Sequence, residues 1–387
     1  MRRVVYALLV GLGLSILLAG CWDIKAIQDT NYITAIGYDY KDGQYVVYAQ
    51  MIDFANVSKR EGGKAGEPAS VWSGHESGGT VIEAMNRLYK TSQQRVFWGQ
   101  VSSIVFTEEA LKKGMSEFLD GLIRFREMRY TQWIYGTKEP IDRVFMMLPF
   151  FNQSPIGSIL HQPEDTYRQR SYIRPLRLQK AVSIFREPGA SLLLPSLGIA
   201  DNTWKIKGRN DPKLMVDGMF AVSKDQQAVW FPDEDLIGLR WMDPGTKRSD
   251  VMLRSSGKPA VSISVDKPKS KIKVDIGNNG KPNFSVRVRG KIYVSEMIQQ
   301  MDEPEIVRTA NETIASEIEH TFARGLERGI DLYMFNHSLY RKRFQSWSKL
   351  TDSGKTPLSD LQMRLPEVKL KLIHTGMYKI KQPQNEY

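Results

Sequence analysis

The residue best equipped for chemistry is Cys21, the only cysteine in 387 residues. A lone thiol can act as a nucleophile, but it cannot close an internal disulfide or complete a multi-cysteine metal site. The five histidines, His75, His161, His320, His337 and His374, lack the His-x-x-x-His type of spacing that puts two imidazoles on one helix face. Each therefore reads as an isolated packed or surface residue. There is no Gly-x-Ser-x-Gly elbow, no phosphate loop, and no Gly-x-Gly-x-x-Gly following a strand. The acidic run Pro232-Asp233-Glu234-Asp235 could serve acid–base work, yet acidic residues after a proline are the ordinary start of a solvated helix. The chain thus reads as non-enzymatic, with neither cofactor nor metal.

The position of the thiol is more informative than its solitude. Met1-Arg2-Arg3 is a short cationic start, and Val4 to Ala19 is almost wholly apolar, the two parts of an export signal. At 1.5 Å per residue that apolar run spans only about 24 Å, short of the ~30 Å hydrocarbon core. A cleaved leader over 1–20 is therefore expected rather than a permanent span, with everything after it outside the cytoplasm. Leu18-Ala19-Gly20-Cys21 resembles the lipobox of bacterial lipoproteins. That resemblance implies a diacylglycerol on the Cys21 sulfur, cleavage before Cys21, and an N-palmitoyl group on the new terminus. Two or more chains are what stable anchoring takes, since one binds only marginally.

Lys and Arg outnumber Asp and Glu 54 to 43, a net charge of +11, which favours an anionic partner such as a lipid surface or an acidic protein. The basic residues are scattered and carry no nucleic-acid reading motif, so nucleic acid is not expected. With 41% hydrophobic and 25% charged residues, the chain has the make-up of a folded protein rather than a disordered one.

The elements behind these residues follow from period and punctuation. Residues 31–40 and 44–52 read as a hairpin turned by Asp42-Gly43. Residues 59–79, rich in Gly, Ser and charge, read as one long loop. Thr80 to Glu83 has capping-box form, with Ile82, Met85, Leu88 and Tyr89 along one face. A strand over 101–106, a helix capped by Thr107 and carrying Leu111, Met115, Phe118 and Leu122, and a strand over 130–135 complete a mixed α/β unit, 21–138. Residues 139–253 form a smaller α/β unit with strand candidates in "LLLPSLGIA", "MVDGMFAVS" and "QQAVWFP". In 254–387, apolar residues alternate through 261–265, 272–276 and 284–288, the pattern of an antiparallel sheet with one buried face. Ala310, Ile314, Ile318, Phe322 and Leu326 recur every four residues after Asp302 to Glu305, giving a long amphipathic helix to cover that sheet, and 368–373 adds a last strand. The basic stretch Lys267 to Lys273 fits a charged edge strand or a site for acidic lipid heads. The whole is an α+β (mixed α/β) chain of three domains.

Several phrases together resemble one family. "GCWDIKAIQDTNYITAIGYD", with Cys21-Trp22-Asp23 and Ile36-Gly37-Tyr38-Asp39, resembles the start of the Ger(x)C lipoproteins, the C subunits of bacterial spore germinant receptors. "VFWGQVSSIVFTEEALKKG" with its Phe97-Trp98-Gly99, "FREMR" at 125–129, "GLERGIDLYMFNHSLYRK" at 325–342 and the terminal "VKLKLIHTGMYK" are similar to later parts of the same family. Asn336 departs from it, standing where a glycine is commoner. The resemblance implies a three-domain lipoprotein on the outer face of the spore inner membrane. Its partners would be an A-type and a B-type integral-membrane subunit of a nutrient receptor. The alternative is an extracytoplasmic solute-binding lipoprotein, for which two similar lobes about a hinge would be the sign. Cys21→Ala is expected to abolish lipid attachment and cleavage before residue 21; metabolic labelling with palmitate and N-terminal sequencing check both, and an unchanged processed lipoprotein would contradict them.

Overall fold

A computed structural model describes residues 2–6, 30–52, 70–124, 127–223, 228–354 and 361–374. Strand β1 (Thr30–Lys41) and β2 (Gln44–Ile52) pair antiparallel as the Asp-Gly turn dictates. Asp42 and Gly43 both take positive φ, 50° and 76°, the turn whose twist matches its strands. Part of the expected long loop is instead a strand, β3 (Val71–Gly78), hydrogen-bonded along β2. Its Gly, Ser and His leave no apolar alternation to read, because β3 is held by backbone pairing at the edge of the sheet; residues 59–69 of that stretch lie outside the described part.

Helix α1 (Val81–Leu88) has the expected cap, the Glu83 N–H donating to Thr80 Oγ1 at 3.1 Å. Its buried residues are Val81, Ala84 and Met85, one position round from the expected stripe, and Ile82 is exposed. Then come β4 (Arg95–Phe97), β5 (Ser103–Thr107), and two helices where one was expected: α2 (Glu108–Lys113) and α3 (Met115–Arg124). Gly114 between them adopts φ 125°, which ends the first helix and lets the second turn its apolar face inward.

Strand β6 (Trp133–Thr137) leads to α4 (Ile141–Phe145), α5 (Glu164–Gln169) and α6 (Leu178–Arg186). The chain then forms β7 (Leu192–Ala200), the small hairpin β8 (Lys205–Ile206) and β9 (Arg209–Asn210), β10 (Lys213–Val222) and β11 (Ala228–Pro232). Apart from the β8–β9 hairpin, these strands build no sheet of their own. One sheet runs β11-β10-β7-β6-β5-β1-β2-β3, with β4 beside β1, so residues on both sides of 138/139 share it. Strands β1, β5, β6 and β7 are parallel and buried on both faces, which is why they read as continuous apolar runs. One face carries Ile36, Tyr38 and Phe106 under the helices α1–α3 and α6, with Phe118 of α3 packed on them; the other carries Ala35, Val105 and Tyr135 under α4.

After the short helix α7 (Leu239–Met242), β12 (Arg248–Ser255), β13 (Lys258–Ile276) and β14 (Pro282–Met297) form an antiparallel meander. The alternating runs 261–265 and 272–276 both lie in the one long strand β13, and β12, ahead of them, is not among the expected strands. Strands β15 (Gln362–Met363) and β16 (Glu367–His374) join β14 in parallel instead. The correction has a topological cause: α8 (Glu303–Glu327), α9 (Phe335–Lys342) and α10 (Phe344–Leu350) intervene and serve as the crossover a parallel neighbour requires. Helix α8 lays Ile306, Ala310, Ile314 and Ile318 on the sheet, and Phe335 stacks on Phe284 with ring centroids 4.5 Å apart. The two sheets are unlike in size and order, so the paired lobes of a solute-binding protein are not seen.

The segment 232–242 fastens the large sheet to α8. Arg240, 3% exposed, donates to both carboxylate oxygens of Glu317 at 2.9 and 2.8 Å, and Trp241 Nε1 donates to the same carboxylate at 2.6 Å. The Gly238 N–H donates to Thr321 Oγ1, and that hydroxyl donates to the Asp235 carbonyl. A Cβ on Gly238 would lie 2.4 Å from the Glu317 carbonyl oxygen, so only glycine lets the backbones meet. The acidic run expected to start a solvated helix thus delivers Asp235 into this contact, where it accepts from Arg324 Nε at 2.8 Å.

Two outcomes follow. Glu317→Ala strands a buried guanidinium and an indole N–H, so it should cost about 3–5 kcal/mol in urea unfolding, whereas Arg240→Met with Glu317→Met should cost less than either single change. His161 is buried beneath the start of β5, Nδ1 2.6 Å from Ser102 Oγ, and burial lowers its pKa from 6.5 to about 3. The folded chain therefore stays neutral there while the unfolded chain takes up a proton. Stability should fall as pH drops from 6.5 toward 3, and His161→Gln should flatten that slope in pH-dependent urea titrations.

Candidate functional site

Cys21, the one site residue the sequence marks, lies outside the described residues. No group of three or more His, Cys, Asp or Glu side chains among the described residues is disposed to hold a metal. The histidines do not converge: His75 lies against Tyr48, His320 stands 3.8 Å from Asp235, and the His337 ring meets the Pro188 carbonyl.

The phrases that carry the family resemblance prove to be positioning residues. Asp39, buried at the end of β1, accepts from Thr107 Oγ1 at 2.5 Å and from its neighbour's N–H, and pairs with Lys41 at 2.8 Å. It thereby ties the first strand to the cap of α2. Buried Trp98 donates from Nε1 to the Tyr89 hydroxyl, and its backbone N–H donates to Glu127 of the "FREMR" phrase. Asp331 turns the chain out of α8. Burial raises its carboxyl to about 6, against the opposing pull of backbone N–H groups that include Asn336, 2.7 Å away. Asn336 accepts from Trp347 Nε1 at 2.8 Å and so fixes α9 against α10.

A cleft opens elsewhere among the described residues, between the two larger sheets. It measures about 830 Å³ and is bounded by α5, α6 and the segment joining them on one side, and by α7, Ile272 and 332–334 on the other. Its apolar floor includes Leu193, Met219, Leu239, Ile272 and Leu332. Its rim holds five cations, Arg168, Arg174, Arg177, Lys180 and Lys247, against two carboxylates, Glu164 and Asp243.

The carboxylates are already taken: Glu164 lies 3.5 Å from Arg177 and 3.6 Å from Arg168, and Asp243 lies 3.3 Å from Arg174. Lys180 and Lys247 have no acidic partner among the described residues. Arg177 also lies over the Trp133 ring at 3.7 Å, which holds its charge at the mouth. Tyr167 donates to Asp243 at 3.3 Å, and burial, with that carboxylate beside it, raises the phenol's pKa further. An apolar floor under a positive rim is an arrangement suited to binding an anionic amphipathic group. Sequence reading passed over it, yet Arg168 to Lys180 carries five cations and no acid, and a window count of charge would have marked it.

Comparison with known proteins closes the question of kinship. The sequence matches the spore germination protein N-terminal domain over residues 23–199 and the spore germination B3/GerAC-like C-terminal family over residues 217–376. It is 26% identical over 373 residues to spore germination protein KC of Bacillus subtilis (strain 168), covering 91% of each chain. Spore germination protein B3 of the same organism is 23% identical over 321 residues, 82% of this chain and 80% of that one. The crystal structure of the GerBC protein superposes with a TM-score of 0.56 at 16% identity, over 91% of this chain and 100% of that chain, and so shares the fold. Matched in order from just after Cys21 nearly to its end, the chain belongs to the Ger(x)C family of spore germination proteins.

Proposed function

We propose that this chain is a non-enzymatic lipoprotein subunit of a nutrient germinant receptor. Cys21 carries the S-diacylglycerol and N-palmitoyl anchor, and an A-type and a B-type integral-membrane subunit are its partners on the outer face of the spore inner membrane. After the leader 1–20, the working parts are 21–138 and 139–253, which share a sheet, and 254–387. The observation that carries the reading is the match to both spore germination families across almost the whole chain. The leader and lipobox support the anchor, and no described helix is long and apolar enough to cross a membrane.

The cleft supplies the docking chemistry. A partner segment with carboxylates beside apolar side chains would meet Lys180 and Lys247 at the rim and Leu193 and Met219 on the floor. Such rim charges act chiefly on encounter and specificity. Lys180→Glu with Lys247→Glu is expected to lower the nutrient germination response as far as deletion of the gene does, with undiminished protein in the spore membrane fraction. Normal germination of the double variant on every nutrient mixture would contradict the docking role, and normal germination of the deletion would contradict the receptor role itself.

A further inference from the structure

At the end of the large sheet where the parallel strands finish, a group of large apolar side chains faces outward. Phe151 is 90% exposed, Ile206 59% and Trp204 52%, with Met146 and Phe150 beside them. Phe150 meets Trp204 edge to face with centroids 4.9 Å apart, so two separate segments form one surface. Phe151 adds a backbone cost to its exposure: its φ of 57° and ψ of 30° put a bulky side chain in the left-handed region. Neither cost is repaid within the chain, because the ring that the strained backbone turns outward touches little of the protein.

The neighbouring hairpin is built to hold its residues out. Lys207 and Gly208 turn with φ of 50° and 79°, and Ile206 pairs with Arg209 across a two-residue loop. Lys205, Lys207 and Arg209 are exposed and have no acidic partner among the described residues. The nearby carboxylates are occupied, Asp201 by Arg143 and Asp211 by Lys213, and Lys213 also lies over the Phe150 ring. Aromatic and aliphatic side chains ringed by free cations match the bilayer interface, where rings sit at headgroup depth and cations meet anionic lipid.

We propose that Phe150, Phe151, Trp204 and Ile206, with Lys205, Lys207 and Arg209 around them, form a membrane-contacting face that seats in the headgroup layer of an anionic bilayer. It is distinct from the anchor at Cys21 and goes beyond it. β1 begins at the opposite end of the sheet and, at twelve residues, runs about 40 Å. This face and a lipid on Cys21 would give the chain two separate membrane contacts.

The test uses the full lipidated chain with Ile206→Cys, labelled with an environment-sensitive nitrobenzoxadiazole, in vesicles of phosphatidylcholine with phosphatidylglycerol. Ile298→Cys, exposed on the other sheet, is the control. Flotation of the chain with the vesicles reports the anchor alone, and emission of the floated chain reports the face. The label at 206 is expected to shift to the blue and lose about half its intensity to brominated acyl chains, while 298 does neither. Lys205→Glu with Lys207→Glu and Arg209→Glu should return the 206 emission to its aqueous value without ending flotation. A label at 206 as wet and unquenched as the one at 298 overturns the proposal. So does a shift that appears only when integral-membrane proteins are added, since that makes the face a protein interface.

Discussion

Glu317, taken largely out of water in α8, binds Arg240 and Trp241 at once, and both partners lie on the segment that leads from the large sheet into the small one. Charges in such a place are tolerated only when each has its counterpart, so the contact has one low-energy geometry and a steep cost on either side of it. Around it, Thr321 bridges Gly238 to Asp235, Arg324 holds the Asp235 carboxylate, and Arg328 reaches the Trp230 carbonyl on β11. Helix α8 is therefore a splint. Its apolar stripe belongs to the small sheet, and its polar stripe belongs to the segment that follows the last strand of the large one.

That splint explains why the cleft exists as a fixed shape. Its two walls come from different sheets, and their separation is set by α7 and by residues 332–334, each attached directly to the lock. A hinge would allow the walls to close on a solute; a buried ion pair with four supporting hydrogen bonds holds them apart. A rigid, positive, apolar-floored groove suits a subunit that receives part of another protein, because pre-organisation removes much of the ordering cost of docking.

The sequence disclosed those features that are local or periodic. The Asp42-Gly43 hairpin, the Thr80 and Thr107 caps, the alternation of β13 and β14 and the four-residue step of α8 each announce themselves within about twenty residues. What stayed hidden depends on partners far away in the chain. Strand β3 has no apolar alternation because it is held by backbone pairing to β2. The joining of β7 to β6 rests on two register pairs, Gly136 with Ser196 and Thr137 with Leu197, about sixty residues apart. Asp235 looks like any acid at a helix start until α8 brings Arg324 beside it. The cleft was half legible: the cations of 168–180 are visible in the sequence, but Lys247 and the floor arrive only through the fold. The family phrases carried kinship for a related reason, since Asp39, Trp98 and Asp331 are constrained by packing and hydrogen bonding.

The central claim is that this chain receives a membrane partner in its cleft, and contact in the native membrane tests it most directly. Gln179, on α6 at the cleft, can be replaced by photoreactive benzoylphenylalanine and irradiated in isolated spore membranes, with Ile298 replaced likewise as the control. The account predicts a covalent product between position 179 and an integral-membrane subunit, absent from position 298. Full recovery of the chain in the membrane fraction with no membrane-protein adduct at 179 would contradict it.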